Sequence, residues 1–224
     1  MKTTAIDKIK QAGIIVALPG DLPLQAIVPI VDGLLASPIL AVDVAYSGAE
    51  TVQLLHDLRQ RAGDKLLIGV SGVETAVHLT TLQNSPINYL SSPRLDDTML
   101  AHCQTSHITY LPSIISVWAA QAAEQKACDV ARLPTGGPAG AEYVTAVHKV
   151  TPDLDLIVEV DLIPEEVAHY KQAGAAALLV GTPLFTGSQQ PMADLITQAR
   201  RFIQVWRQTD VADNAKSHLN GISQ

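Results

Sequence analysis

The chain alternates between short hydrophobic runs and longer segments with helical periodicity. Eight runs are rich in Val, Ile, Leu or Ala and lack the strict alternation of a strand with one face in water, so each predicts a strand buried on both faces. They begin roughly every 20 to 28 residues, which leaves enough chain for a crossover helix. The predicted strands are Gly13–Leu18, Pro38–Val44, Lys65–Val70, Ile87–Ser91, Ile108–Leu111, Cys128–Leu133, Leu154–Val160 and Ala176–Val180.

The segments between these runs repeat apolar residues at a helical spacing. One example is Ala49–Arg61, in which Val52, Leu55 and Leu58 fall on one face. Eight strands that alternate with helices favour a closed parallel (β/α)8 barrel, a TIM barrel, with an open doubly wound sheet as the alternative. The other predicted helices are Pro23–Leu35, Leu95–Gln104, Val117–Gln125 and Glu165–Ala173.

The two ends of the chain differ from this repeat. Met1–Ala12 predicts a short amphipathic helix, and a last helix is expected to begin after Pro191 and to end near residue 207. The remaining tail is polar and lacks periodicity, so we expect it to be frayed or loosely docked. The sequence therefore predicts one barrel domain over residues 1–207, a tail over residues 208–224 and no second domain.

Composition and charge narrow the range of functions. The net charge is −7 and no basic cluster is present, which argues against nucleic acid and anionic membrane surfaces as partners. A membrane-spanning helix needs about 18 consecutive apolar residues, and no apolar run of this sequence is that long. Because the first residues also lack the apolar core and cleavage site of a secretion signal, we expect a cytoplasmic protein.

The cysteines and histidines predict neither a disulfide framework nor a metal site. Cys103 and Cys128 are the two cysteines of the chain, and we expect both to be reduced and buried. His102 and His107 lie close to Cys103, but no paired set of ligands completes a metal site around them. We therefore expect no metal and no cofactor.

The stretch Asp129–Pro134 predicts a short buried strand that stops sharply. Thr135–Gly140 follows as a loop rich in Gly and Pro, and a helix is expected from about Ala141. In a parallel barrel the chemistry lies where the strands end. The residues at this strand end are therefore candidates for function.

Three segments on successive predicted strands match, in order and spacing, motifs of one enzyme family. Leu90–Asp96 is similar to the family's Ser-Pro-Gly-Leu-Asn, and Ile108–Ser113 is similar to its Ile-Pro-Leu-Ile-Pro-Gly. The strand that ends at Pro134, with Tyr143 nine residues later, is similar to its Lys-Leu-Phe-Pro-Ala segment. From Ile14 to Phe185 the chain thus resembles the class I aldolases that cleave 2-keto-3-deoxy-6-phosphogluconate (KDPG) or 4-hydroxy-2-oxoglutarate (KHG). The resemblance implies a lyase that acts on small oxo acids and forms homotrimers.

The family's nucleophile is missing from the matching position. The family forms a Schiff base with a lysine three residues before the proline, a slot that falls at Ala131, or at Arg132 if the alignment slips by one residue. If Ala131 points inward, simple alternation turns Arg132 toward the helices. Neither residue supplies an amine, because a methyl group is inert and a guanidinium keeps its proton. No lysine of the sequence is predicted at the carboxyl end of a strand.

Other positions that matter in the family have changed as well. Its general-base glutamate on strand two falls at Ala41, and its strand-three threonine falls at Gly72, next to Ser71. Its phosphate-binding glycine pair falls at Val160-Asp161, and the serine of its last loop falls at Pro183. An aspartate repels the anion that backbone N–H groups would bind, and a proline removes one such donor.

Several polar residues remain near predicted strand ends and are candidates to line a pocket. Two interpretations stay open: these residues pair with one another to neutralise buried charge, or they line a mouth that binds a ligand. The candidates for a substrate pocket are Asp43, Ser71, Pro93, Arg94, Arg132, Glu159 and Asp161.

Two classes of function therefore stay open. One is an aldolase-like barrel that has lost Schiff-base chemistry, or that acts on a small oxo acid with other residues. The other is a non-catalytic barrel that binds a small metabolite or a protein, since a barrel does not fix its function.

Overall fold

Eight parallel strands form the centre of the molecule. The computed structural model describes residues 5–19, 24–134, 140–185 and 190–220. Every strand overlaps one of the eight hydrophobic runs, so the predicted (β/α)8 barrel is confirmed. The strands are β1 Ile14–Ala17, β2 Ala41–Ala45, β3 Leu67–Ser71, β4 Tyr89–Ser92, β5 Thr109–Pro112, β6 Val130–Pro134, β7 Asp155–Glu159 and β8 Ala175–Val180.

Helices follow the strands and cover the outside of the barrel. Three helices begin shortly after β3, β4 and β5, and their N-cap residues are Thr75, Asp96 and Ser116. The side chain of each N-cap residue accepts a hydrogen bond from an N–H group of the first helical turn. The helices are α1 Ala5–Ala12, α2 Leu24–Leu35, α3 Ala49–Ala62, α4 Ala76–Thr81, α5 Asp97–Ser106, α6 Val117–Gln125, α7 Gly140–Val150, α8 Val167–Gln172 and α9 Met192–Asn220. The expected end of the last helix near residue 207 is wrong, because α9 continues to Asn220.

The strands pair in the order β5-β4-β3-β2-β1-β8-β7-β6, which leaves β5 and β6 to close the barrel. Ser113 and Arg132 form a single parallel bridge at this seam, and the N–H of Ile114 donates to the carbonyl of Arg132 at 2.8 Å. Pro112 ends β5 and has no N–H to donate to β6. The barrel is therefore nearly closed, with its weakest strand pair between β5 and β6.

Alternating strand residues divide the core in two. Residues such as Val42 and Leu133 pack outward against the helices in one cluster. The other cluster fills the barrel interior and contains Ile15, Leu67 and Ile157. Because the period of a strand is two, membership in a cluster tells which way each neighbouring side chain points.

Helix α1 closes the amino-terminal end of the barrel. Ile9 and Ala12 belong to the interior cluster, with Ile6 packed against it. Lys10 in α1 also pairs with Asp155 at the start of β7, at 2.9 Å. The opposite end, where the strands finish, is therefore the end at which polar inner residues can reach solvent; we call it the mouth.

Among the described residues no helix is both long and apolar enough to cross a membrane.

Candidate active site

Inward-facing polar side chains gather at the mouth of the barrel. They include Asp43 on β2, Ser71 on β3, Arg132 on β6 and Glu159 on β7, four of the residues predicted to line a pocket. Asp43 and Ser71 lie on neighbouring strands, as do Arg132 and Glu159, and the other three side chains all act on the pKa of the Asp43 carboxyl. The structure therefore brings four of the seven candidates together.

Arg132 and Glu159 form a two-point ion pair across neighbouring strands. Arg132 donates from Nε to one carboxylate oxygen of Glu159 at 2.9 Å and from Nη2 to the other at 2.6 Å. Burial by itself lowers the pKa of Arg132, but the hydrogen bonds to Glu159 and the charge of Asp43 raise it overall. Arg132 therefore remains a guanidinium, and it cannot serve as an amine nucleophile.

Asp43 is the buried acid of the site. Only 4% of the residue is exposed, and this burial raises the pKa of its carboxyl above the ordinary range. The charge of Arg132 and the hydroxyl groups of Ser71 and Tyr89 act in the opposite direction, while the charge of Glu159 raises the pKa further. Asp43 is thus held closer to neutrality than a surface aspartate, as in sites where a carboxyl group exchanges protons.

Tyr89 is a site residue that sequence reasoning missed. It lies on the inner face of β4, and its hydroxyl donates to the carbonyl of Val42 at 2.9 Å. Burial and the nearby charge of Asp43 raise the pKa of Tyr89 well above its usual value, so the phenol stays neutral. The signal for it was the glycine at position 69, one strand away, which leaves room for an aromatic ring.

Ser91 is the next inner residue on β4, and it also escaped prediction. It lies opposite Leu111 of the interior cluster and is 1% exposed. Its hydroxyl oxygen is buried and has no hydrogen-bond partner among the described residues. The residue belongs to the Leu90–Asp96 motif, but the motif alone does not tell which of its two serines faces inward.

The structure decides the direction of the side chains on β6. Val130 belongs to the interior cluster, whereas Ala131 and Leu133 belong to the outer one. Arg132 therefore points into the barrel and Ala131 toward the helices. The alternative in which Ala131 faces inward is wrong, because the strand begins one residue out of phase with it.

Ala41, the position at which the resemblance puts the family's general-base glutamate, does not lie near the carboxyl end of its strand. Ala41 is the first residue of β2 and packs in the interior cluster with Ile9 and Ala12 of α1, at the closed end of the barrel. It lies too deep to meet a ligand that enters from the mouth. The inner residue two positions further along β2 is Asp43, a carboxylate.

Three predicted pocket residues lie apart from this group. Pro93 and Arg94 are exposed after β4, and the guanidinium of Arg94 lies 3.9 Å from Asp96. Asp161 is exposed in the loop two residues beyond Glu159. Most of the loop expected between Thr135 and Gly140 lies outside the described residues.

None of the lysines in the described part of the chain lies on a strand. Lys10 pairs with Asp155, Lys126 with Asp97, and Lys171 donates to the carbonyl of Trp206 at 2.8 Å. Lys8, Lys65, Lys149 and Lys216 lie in helices or helical turns. No group of three or more metal-binding side chains occurs in residues 5–19, 24–134, 140–185 and 190–220.

A family model for the KDPG and KHG aldolases matches residues 6–199. This range spans all eight strands and the polar group at the mouth. The chain belongs to this aldolase family. A search of curated proteins found no match.

Solved structures of aldolases share the same fold. A native KDPGal structure is 21% identical, with a TM-score of 0.77 over 88% of this chain and 95% of the other. A KHG/KDPG aldolase from TTHB1 is 16% identical, with a TM-score of 0.75 over 90% and 98%. The KDPG aldolase of Legionella pneumophila, captured with pyruvate as a covalent carbinolamine, is 17% identical, with a TM-score of 0.72 over 92% and 98%. At these identities the likeness concerns the fold.

Proposed function

We propose that this member of the KDPG/KHG aldolase family does not cleave aldols through a Schiff base, and that its mouth binds a small polar metabolite without a covalent step. One observation carries the proposal. The inner position near the end of β6 holds Arg132, whose guanidinium is tied to Glu159 by two hydrogen bonds. The nucleophile of a class I aldolase is an amine, and this position offers none.

The chemistry of the reaction makes the loss decisive. An amine attacks the ketone of the substrate, and the resulting iminium draws electrons from the bond that breaks. A relative from Legionella pneumophila was captured with pyruvate as a covalent carbinolamine. In the described part of this chain every lysine lies outside the strands, and Arg132 keeps its proton in the presence of two carboxylates. Residual binding therefore does not restore the covalent route.

The positions that bind the phosphate group of KDPG in the family have also changed in this chain. By resemblance, the glycine pair that binds phosphate in the family corresponds to Val160 and Asp161, and Asp161 is exposed with its negative charge. Pro183 lies in the short turn Thr182–Leu184 that follows β8, where it contributes no N–H donor. Both changes weaken binding of a phosphate group.

Borohydride trapping tests the proposal directly. We expect no pyruvate-dependent mass increase when the protein is incubated with pyruvate and reduced, because an iminium is needed to fix the label. A Schiff-base KDPG aldolase treated in parallel serves as the positive control. A reduced pyruvate adduct mapped to any internal lysine of this chain would overturn the proposal.

A second candidate is an enzyme that acts on a small oxo acid with other residues. The observation that favours it is Asp43, a buried carboxyl with a raised pKa next to Ser71. Such a group can exchange a proton next to a carbonyl without a covalent intermediate. Exchange of the methyl protons of pyruvate into deuterium oxide, followed by NMR, separates the candidates. Proton exchange that is faster than in buffer and disappears in Asp43→Asn would support the enzyme. Proton exchange no faster than in buffer would support the binding protein.

We further propose that the protein assembles as a homotrimer. Two large apolar side chains near the start of α6 support self-association, because Ile115 is 78% and Trp118 is 83% exposed. A related structure, 19% identical over 95% of this chain and 78% of the other with a TM-score of 0.83, is a cage designed by fusing symmetric oligomeric domains.

A further inference from the structure

We propose that the mouth takes a small cationic ligand with hydroxyl groups, of the amino-alcohol class, whose ammonium lies among Asp43 and Glu159 and whose hydroxyl bonds to Ser91. The inference rests on the proposed non-covalent function, and it names the substrate class of that site. It is carried by an unpartnered buried hydroxyl and by the charge balance around it.

The hydroxyl of Ser91 lacks a partner in a place where a ligand can supply one. Three buried side-chain atoms have no hydrogen-bond partner in the described part of the chain. Two of them lie outside the barrel interior, in Ser85 before β4 and in His148 on α7. Ser91 alone of the three faces the barrel interior. Buried hydroxyl groups are normally satisfied, so this one points to a missing polar group.

Ser91 continues a row of polar side chains across three neighbouring strands. The β3–β4 register pairs Gly69 with Tyr89, so the next inner residues, Ser71 and Ser91, lie side by side. Beyond this pair the register shifts by one residue at Gly72, because the N–H of Val73 rather than that of Gly72 donates to the carbonyl of Ser91. Ser71 also acts on the pKa of Asp43. Asp43, Ser71 and Ser91 therefore lie on three adjacent strands and face the same interior, and the proposal places one small ligand against both ends of this row.

Carboxyl groups outnumber cationic groups in this row of described residues. Among the described residues, Asp43 and Glu159 share the guanidinium of Arg132, and Glu159 accepts two of its hydrogen bonds. The guanidinium of Arg94 lies apart from the row and beside Asp96. The sequence segments 20–23, 135–139 and 186–189, which follow β1, β6 and β8, contain no Lys or Arg.

An anionic ligand would meet these carboxyl groups unfavourably, whereas an ammonium group can pair with the ionised form of Asp43. The cation also favours the ionised form of Asp43, whose pKa is raised by burial. Binding should therefore release a proton in the pH range where Asp43 is partly protonated. This coupling separates a cationic ligand from a neutral polyol of the same shape.

A matched series of ligands tests the charge preference. Serinol, glycerol and glycerate share three carbons and carry charges of plus one, zero and minus one. We expect calorimetric titration to give serinol an affinity at least about 10-fold higher than glycerol, with glycerate weakest. In two buffers of different ionisation enthalpy, serinol binding should release protons from the native protein and release none from Asp43→Asn. Glycerate binding tightest, or no binding by any of the three, would overturn the inference.

The role of Ser91 has a matched control within the chain. Ser91→Ala should weaken serinol at least about 5-fold, because the ligand hydroxyl loses its partner. Ser85→Ala removes the other unpartnered serine hydroxyl and should leave the affinity unchanged. Equal affinity in all three proteins would refute the contact. If Ser91→Ala does not fold, proton release by the native protein still decides the charge preference. A pyruvate adduct in the borohydride experiment would refute the proposed function instead, whatever serinol does.

Discussion

Gly69 lies beneath the aromatic ring of Tyr89, at paired positions of β3 and β4. A Cβ atom on Gly69 would lie 1.8 Å from two atoms of the ring. The ring thus crosses one whole strand, and its hydroxyl reaches the carbonyl of Val42 on β2. Because Asp43 pairs with Gly69 on its other side, the tyrosine forms the wall against which the buried acid is held.

Substitution of Gly69 by alanine should displace Tyr89 and disturb the site. The new methyl group cannot fit without movement of the ring, and overpacking of this kind costs about 1–3 kcal/mol. We expect Gly69→Ala to lower the free energy of urea unfolding by that amount. The double variant Gly69→Ala/Tyr89→Ala should lose less than the sum of its single variants, because the clash disappears with the ring. Additive losses would contradict this packing.

Loss of the guanidinium should leave two carboxylates without their cation. Arg132→Met removes the ion-pair partner of Glu159. It also removes the positive charge that lowers the pKa of Asp43. Breaking a buried pair costs about 3–5 kcal/mol, and partial exposure of Glu159 places the expected loss near the lower end. Adding Glu159→Gln should recover part of it. Lys10→Met breaks the exposed pair with Asp155 and should cost less than about 1 kcal/mol.

Much of the fold follows from the sequence because buried parallel strands leave a strong signal. Each βα unit requires a short apolar run and a helix, and all eight runs proved to be strands. The end of α9 was missed because the tail has few apolar residues with which to mark a helix face. Helix propensity without a packed face gives only a weak signal.

The site was harder to predict because it depends on the phase of each strand. A shift of one residue on β6 exchanges Ala131 and Arg132 between the barrel interior and the helices. On β2 the resemblance pointed to Ala41, although the inner polar residue is Asp43. Tyr89 and Ser91 were passed over for the same reason, since a run buried on both faces has no polar alternation to reveal its phase.

The ionisation of Asp43 should make stability fall as pH rises. Burial raises its pKa in the folded protein above the ordinary value of 3.8, so the folded state holds a proton that the unfolded state has lost. Stability therefore decreases from about pH 4 up to the raised pKa and is constant above it for this group. Urea unfolding of the native protein and of Asp43→Asn at several pH values measures the difference. Asp43→Asn should gain relative stability as pH rises, and a difference independent of pH would contradict the raised pKa.

The two cysteines should react slowly in the folded protein. Burial raises the pKa of Cys103 to about 12, and burial together with the charge of Asp129 raises that of Cys128 to about 11. Because the thiolate is the reactive form, little of either is available near neutral pH. Both thiols line a cavity of about 490 Å³ at the amino-terminal end of the seam between β5 and β6. We expect labelling by a thiol reagent at pH 8 to be at least about 10-fold slower than in urea. Fast labelling of the native protein would show that the seam opens.

Removal of the exposed tryptophan should weaken the proposed trimer. Trp118 lies in the first turn of α6, and Ile115 precedes that helix by two residues, so both project apolar surface near the same point. Monomeric proteins rarely expose such residues side by side, and an interface would cover them.

We expect light scattering at micromolar concentration to give the native protein about three times the 23.8 kDa of one chain. Trp118→Arg should shift the mass toward one chain, because a buried unpaired charge opposes association. Val150→Lys changes a less exposed apolar residue at the end of α7 and should leave the mass unchanged. A native protein with the mass of a single chain would refute the trimer, and a trimer that survives Trp118→Arg would place the interface elsewhere.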